Sequence, residues 1–317
     1  MVEEVLAGLT AKPKYCSPKY LYDQKGSELF ETICELPEYY PTRTEEAILA
    51  RAMPEIAALA GEDATLVEFG SGASRKVRLL LESLSIQRYL GIDISREFLI
   101  ESTRRLAADY PWLEVHAACA DFTRGVALPE VIDPKRLVGF FPGSSIGNFT
   151  PEAAEGFLNS LHQLLPPGSG LLVGVDLVKD HQILEAAYND ADGVTAEFNL
   201  NLLDHLRRKL GIAFHRERFH HRAFFNAEES RIEMHLDSRT AQVLQLKGKT
   251  IRLREGESIH TENSYKYSVS GFQSLAARAG FGSRRVWIDD QGLFSVHYLT
   301  SSPGMQLMME HQSQQRP

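Results

Sequence analysis

The sequence predicts an α/β fold: a doubly wound sheet with a second, α+β lobe formed by an insertion and the N-terminal extension. Three observations carry this. Between about residues 61 and 180, short apolar runs alternate with amphipathic segments at the spacing of βαβ units, which builds a parallel sheet. From about 181 to 267 that rhythm stops, and helical stretches give way to short alternating strands. From about 268 the first rhythm returns. The expected organisation is a helical extension over 1–60, an α/β domain over 61–180, an α+β insertion over 181–267 and a return to the α/β domain over 268–317.

In order, the extension holds an amphipathic helix from Glu28 to Leu36, with Leu29, Phe30, Ile33 and Leu36 on one stripe and Pro37 as its stop. After the EYYPTRTEE loop, Thr42 or Thr44 is expected to cap a second helix, with Glu45 and Glu46 in its first turn. The first buried strand is Thr65–Phe69, turning at GSGAS into the helix KVRLLLESL. Arg88–Ile94, Leu113–Ala118 and Arg136–Phe141 are the next strands, and the helix REFLIESTRRLAADY follows the first of them. Thr150 and Pro151 open a helix as cap and first-turn proline. It ends near Leu165 at PPGSG, and Leu171–Val178 is the fifth strand. The insertion is helical to about residue 212. Its later part reads as an antiparallel meander: RIEMHL alternates Ile232, Met234 and Leu236 with polar residues, then VLQL, a KGKT turn and TIRLR follow. The helix SVSGFQSLAARAGF ends at Gly280, and RRVWI and LFSVHYLTS are closing strands. Tyr265 and Tyr267 alternate with Lys266, which suggests one core face. A polar tail after about Met309 is expected to fray.

The chain has 317 residues, 34 basic and 42 acidic, for a formal charge of -8. A net acidic protein gains no general attraction to nucleic acid or anionic lipid, so neither nucleic acid nor membrane is an expected partner. Cys16, Cys34 and Cys119 are odd in number, far apart and without a CxxC. This disfavours a disulfide framework or a zinc site and fits a reducing cytoplasm. The N-terminus MVEEVLAGLTAKPKY is acidic where a signal peptide is basic. The most apolar stretch, Leu171–Val178, contains Asp176 and is far shorter than the ~20 residues of a membrane span. His215, His220 and His221 sit among Arg216, Arg218 and Arg222, where like charge opposes a cation, so no metal is expected. The expectation is a cytoplasmic monomer acting on a small molecule.

The strongest chemical signal is VEFGSGASRK, residues 67–76, where a strand turns into a helix through Gly70 and Gly72. Glycines there let backbone approach a ligand and adopt positive φ. A dinucleotide site needs a third glycine where this chain has Arg75, and a Walker A loop is absent. S-adenosylmethionine has no pyrophosphate and accepts the looser pattern. Asp93 after the second strand can accept both ribose hydroxyls, although a lone carboxylate there is ordinarily a helix cap. Asp121 and Phe122 after the third strand can bond and flank an adenine. FFPGSSIGNF after the fourth places Asn148 at the sheet's carboxyl edge, where open α/β sheets bind ligands.

Longer blocks add a resemblance. YDQKGSELFETICELPEYYPTRTE (22–45), EFGSGASRK (68–76), PGSSIGNF (142–149), AYNDADGVTAEFNLNLL (187–203) and HTENSYKYS (260–268) resemble the histidine-specific Nα-methyltransferases of ergothioneine biosynthesis, over nearly the whole chain. Phe69 and Ala73 depart from the expected flanks of the glycines, away from any implied contact. The resemblance implies a class I (Rossmann-like) methyltransferase fold, with adenosylmethionine bound over 61–180 and substrate bound by the insertion with the extension. It implies Gly70, Lys76, Asp93, Asp121 and Phe122 as cofactor contacts, and Asn148 and Tyr188 as holders of the substrate's α-carboxylate. Tyr39 is implied on the imidazole side, Tyr22 near the reacting amine, Glu262 and Ser264 as the imidazole-binding pair, and Met234 as a pocket wall. A plain core role remains open for Met234, and a solvent-facing one for Lys76. The implied reaction methylates the α-amine of L-histidine three times, to hercynine. The alternatives are the same fold acting on another amino acid or amine, or a non-catalytic adenosylmethionine-binding module.

The chemistry agrees with these residue types. A sulfonium methyl is already electrophilic, so orientation of the amine is the main task, worth about 7–11 kcal/mol of barrier. No nucleophilic side chain is required. Tyr22 is expected to orient the amine rather than act as a base, because phenols ionise only at about pH 10. Glu262 and Ser264, at i, i+2 on an extended segment, share a face and suit an imidazole's N–H and lone pair.

Overall fold

The computed structural model describes residues 1–73, 75–124, 128 and 137–301. Ser74, Arg136 at the start of the expected fourth strand, and the polar tail lie outside the described residues.

The chain opens with α1 (Val2–Thr10), the short strand β1 (Lys14–Tyr15), α2 (Gln24–Cys34) and α3 (Tyr40–Ala60). α2 starts before the apolar stripe because Asp23 caps it, accepting from Gly26 N at 2.8 Å. α3 starts at Tyr40 with Pro41 in its first turn, so Thr42 and Thr44 are helical and not caps. Glu45 and Glu46 lie beyond the first turn. Proline's fixed φ and missing N–H suit a helix start, which outweighs the threonine signal.

An α/β stretch follows: β2 (Ala64–Phe69), α4 (Arg75–Leu81), β3 (Ile86–Asp93), α5 (Arg96–Asp109), β4 (Glu114–Cys119), β5 (Leu137–Phe141), α6 (Pro151–Leu164) and β6 (Gly170–Asp176). Then come α7 (His181–Ala186), α8 (Val194–Leu210), β7 (Phe219–Asn226), β8 (Arg231–Ser238), β9 (Gln242–Leu246), β10 (Lys249–Leu253) and β11 (Ser258–Tyr265). The chain closes with α9 (Val269–Arg278), β12 (Phe281–Ile288) and β13 (Phe294–Ser301). It divides into two compact units: Met1–Thr42 with Val178–Lys266, and Arg43–Leu177 with the segment beginning at Tyr267. The first boundary falls inside α3, earlier than the change of rhythm at residue 60.

The second unit is built on a seven-stranded sheet ordered β12-β13-β6-β5-β2-β3-β4. The five strands β6, β5, β2, β3 and β4 are parallel; β13 is antiparallel to β6 and β12 antiparallel to β13. β2, β5 and β6 are buried at every position, which is why they read as unbroken apolar runs. Their side chains alternate between two cores: Leu66, Val138 and Leu172 join one, and Val67, Leu137 and Val173 the other. The chain runs outward in opposite directions from β2, so the carboxyl ends of β2, β3 and β5 flank a topological switch point.

The first unit carries a four-stranded sheet, β1-β11-β8-β7, and a separate β9–β10 hairpin. The expected meander is therefore interrupted. β9 and β10 close on themselves through Lys247 and Gly248, both at positive φ (50° and 74°), the geometry of a tight two-residue hairpin turn. β8 pairs instead with β11 across the hairpin, and β1 joins β11 in parallel from the far end of the sequence. No helix among the described residues is long and apolar enough to cross a membrane.

Candidate active site

In the second unit, β2 turns through Gly70 and Gly72 at φ 73° and 49°, backbone that favours glycine. Phe122 lies against this turn: a Cβ on Gly70 would meet its ring at 3.8 Å. Phe122 also packs edge-on against Phe69 and Phe141. Asp93, at the end of β3, accepts from Gly72 N at 3.0 Å and Ser95 N at 2.8 Å, so it clasps the first loop to the second. Each carboxylate oxygen has a further acceptor site, so ribose hydroxyls can still be bound. Burial pushes the Asp93 carboxyl up, opposed by these amides. Asp121 follows β4, and its Oδ1 accepts from Thr123 N at 3.2 Å. Gly70, Asp93, Asp121 and Phe122 all follow the carboxyl ends of β2, β3 and β4 along one sheet edge, and a Cβ on Gly72 would meet nothing within 4 Å. These residues fit an adenosyl group: two glycines, two acids and one aromatic face.

Lys76 is engaged within its own unit. Its Nζ lies 2.5 Å from Oε2 of Glu45, which is fully buried and also accepts from Gly143 N at 2.9 Å. A Cβ on Gly174 would stand 1.9 Å from Glu45 Oε1, so that glycine makes room for the carboxylate. Lys76 therefore neutralises a buried acid that binds the loop after β5, whatever else it touches. In the same loop Ser144 Oγ accepts from Asp176 N at 2.9 Å, and Asn148 ends a short 3-10 turn, half-buried. Glu68, not singled out from the sequence, is buried on β2, accepts from Tyr89 OH at 2.6 Å and is pushed up to about 8 by burial.

In the first unit, six expected substrate residues gather. Tyr22 packs edge-on on Phe30 and Phe198, Phe30 on Tyr39, and Tyr39 on Tyr188 at a 6.2 Å centroid distance. Burial, with Tyr188, Cys34, Tyr22 and Glu262 nearby, holds the Tyr39 hydroxyl well above the ordinary phenol range, so it stays protonated. Tyr188 OH donates to Ser264 Oγ at 2.8 Å. Glu262 stands opposite Met234 in the β8–β11 register and shares its face with Ser264. Glu262 is 8% exposed, its Oε2 has no hydrogen-bond partner, and burial pushes its carboxyl up to about 8. Met234 is core, 1% exposed, and stands opposite Glu262 in the register.

Sequence reasoning missed three residues here. Lys266 is only 4% exposed, with Nζ 2.7 Å from Ser264 Oγ, so the alternation with Tyr265 and Tyr267 does not turn it to solvent. Its i, i+2, i+4 relation to Glu262 and Ser264 was the available signal. Asn199 and Thr261 hold a β-bulge between His260 and Glu262. Thr261 Oγ1 lies 2.7 Å from Asn199 Oδ1 and 3.0 Å from Met234 O, while Asn199 Nδ2 donates to His235 O at 3.0 Å. His215, His220 and His221 do not converge on one another; His221 bridges Asn199 and the Tyr188 carbonyl at 3.0 and 2.9 Å. Among the described residues the one trio of ligating type is Glu233, His235 and His260. Glu233 there already accepts from Asn226, Arg231 and His235, each at 2.9 Å.

A family model described as histidine-specific methyltransferase, SAM-dependent, matches residues 1–301. The chain belongs to that family. It is 43% identical over 300 residues to the histidine N-alpha-methyltransferase of Mycolicibacterium smegmatis, covering 92% of each chain. It is 40% identical over 299 residues to that of Mycobacterium tuberculosis, again covering 92% of each. Ergothioneine biosynthesis protein 1 of Neurospora crassa is 32% identical over 311 residues, which cover 92% of this chain and 33% of that one. The chain has the expected class I, Rossmann-like fold: five parallel strands, with β13 reversed between β6 and β12. It is an enzyme, and its cofactor is S-adenosylmethionine.

Proposed function

We propose that the enzyme methylates the α-amine of L-histidine three times, releasing Nα,Nα,Nα-trimethylhistidine (hercynine) for ergothioneine formation. One observation carries the choice of substrate: Glu262 Oε2 is a buried acceptor without a partner, beside the Ser264 hydroxyl. A buried polar atom left unpaired is costly, and an imidazole N–H satisfies it where an apolar side chain does not. The 40–43% identity to histidine N-alpha-methyltransferases supports the same reading.

Bound adenosylmethionine supplies an electrophilic methyl group on a sulfonium. Gly70, Asp93, Asp121 and Phe122 are the residues that would hold it, with Lys76 fixing the adjoining loop through Glu45. Asn148 is the residue assigned to the substrate's α-carboxylate. The Tyr188 hydroxyl proton goes to Ser264, so of the two residues implied for the carboxylate, Asn148 is the one assigned that contact. Tyr39 lines the imidazole side as a hydrogen-bond donor, because its hydroxyl does not ionise. Tyr22 orients the amine lone pair, which must be free of its proton to attack. Repetition follows from the product: mono- and dimethylamine still carry a lone pair, and the trimethylated nitrogen has none.

Incubation with histidine and excess adenosylmethionine, followed by mass spectrometry with fragmentation, tests this. The expected result is a succession of one, two and three methyl groups on the α-nitrogen. A methyl on the ring, or none on histidine, contradicts it.

A further inference from the structure

Lys266 lies one residue beyond β11 and continues the face of Glu262 and Ser264. A nearly buried ammonium in a substrate pocket needs a reason, since desolvating a charge is costly unless it is bonded. Its Nζ donates to Ser264 Oγ at 2.7 Å, lies 3.4 Å from Tyr188 OH, and stands 5.1 Å from the centre of the Tyr188 ring. Tyr188 OH donates to the same Ser264 oxygen at 2.8 Å. An ammonium can only donate, and a phenol is a better donor than an aliphatic hydroxyl. A hydroxyl oxygen has two acceptor sites and one proton. Both acceptor sites of Ser264 are therefore filled from within the protein. Its proton meets no acceptor among the described residues and is the one part of the group left for a ligand.

We propose that Lys266 is a specificity-determining positioning residue: with Tyr188 it compels Ser264 to donate, so that the Glu262–Ser264 pair presents one acceptor and one donor and selects a ring with one N–H and one lone pair. This rests on the reading of Glu262 and Ser264 as the imidazole-binding pair. The neutral imidazole is that ring. An imidazolium would set an N–H against the Ser264 proton. A pyrrole ring, with C–H in place of the second nitrogen, would leave that proton unpaired. Lys266 also supplies the positive charge that favours ionised Glu262, against the burial that pushes its carboxyl up. Without Lys266, Ser264 can rotate, accept as well as donate, and lose its discrimination.

The test uses the two pyrrolylalanines, which keep one ring N–H and replace the other ring nitrogen by C–H. The quantity read is the ratio of kcat/KM for histidine to that for the better pyrrolylalanine. Both are measured on one enzyme sample, so any unfolded fraction cancels. The wild type is expected to favour histidine by roughly tenfold or more. Lys266→Met should reduce that ratio to about threefold or less, and Tyr188→Phe, which removes the other donor, should reduce it in the same direction. Ser264→Ala should give an equally low ratio that Lys266→Met does not change further, the signature of action through one group. A wild-type preference that survives intact in Lys266→Met overturns the role of Lys266, as does an equal effect of Lys266→Met in the Ser264→Ala background. A wild type that methylates pyrrolylalanine as well as histidine overturns the reading of the pair itself.

Discussion

On the proposed reading, substrate choice turns on Glu262. Its carboxyl is buried, its Oε2 has no partner, and its ordinary pKa is pushed up to about 8. Truncation to Glu262→Ala should cut the kcat/KM preference for histidine over phenylalanine by more than about tenfold, read from steady-state kinetics with both amino acids. An unchanged preference would contradict the assignment. Glu68 shows the same electrostatics in the parallel-sheet unit. Burial raises its carboxyl from 4.5 to about 8, so the folded state binds this proton more tightly than the unfolded chain does. Its stabilising contribution is full below about pH 4.5 and is lost as pH rises through about 8. Glu68→Gln cannot titrate, so its Tm should fall less than the wild type's between pH 5 and pH 8. Parallel Tm curves for the two proteins would contradict this. Glu262 and Ser264 were singled out by the family resemblance, with residue types and i, i+2 spacing in agreement. The lysine two positions on was not, because a lone Lys beside tyrosines reads as solvated until the burial of its neighbours is known.

At the scale of elements, the bulge in β11 sets the site. Thr261 is the extra residue, and its hydroxyl ties Asn199 of α8 to the Met234 carbonyl of β8. The bulge lets Glu262 and Ser264 share the Met234 face while His260 pairs with His235 on the other. Thr261→Val keeps the shape and removes the bonds, leaving Asn199 Oδ1 buried and unpaired. It should cost about 1–3 kcal/mol, read from the urea midpoint, and raise the KM for histidine. A midpoint and KM equal to the wild type's would show that the bulge holds without these bonds. Apolar runs exposed β2, β5 and β6, which are buried at every position. Periodicity could not expose the bulge, because one extra residue leaves no local mark. It also paired β8 with its neighbour in sequence, where the structure pairs it with β11 across a self-contained hairpin. The start of α3 was misplaced for a related reason: two threonines outvoted the proline that actually opens the helix.

For the whole molecule, the chain passes between its two units at residues 42, 177 and 266. The parallel-sheet unit carries the residues suited to adenosylmethionine, and the other unit carries the tyrosines, Glu262 and Ser264. The change of rhythm near residue 180 marks the second crossing in the sequence, because helix-strand alternation stops there. The first crossing leaves no such mark, since it falls within a helix that continues unbroken. The family assignment rests on residues 1–301, so both units are part of what makes this chain a histidine-specific methyltransferase. The central claim is that the first unit reads an imidazole through one acceptor and one donor. A crystal structure with Nα,Nα-dimethylhistidine and S-adenosylhomocysteine tests it most directly. The account predicts a ring N–H on Glu262 Oε2 and the other ring nitrogen on Ser264 Oγ. A ring bound elsewhere, with Glu262 Oε2 still unpartnered, would contradict it.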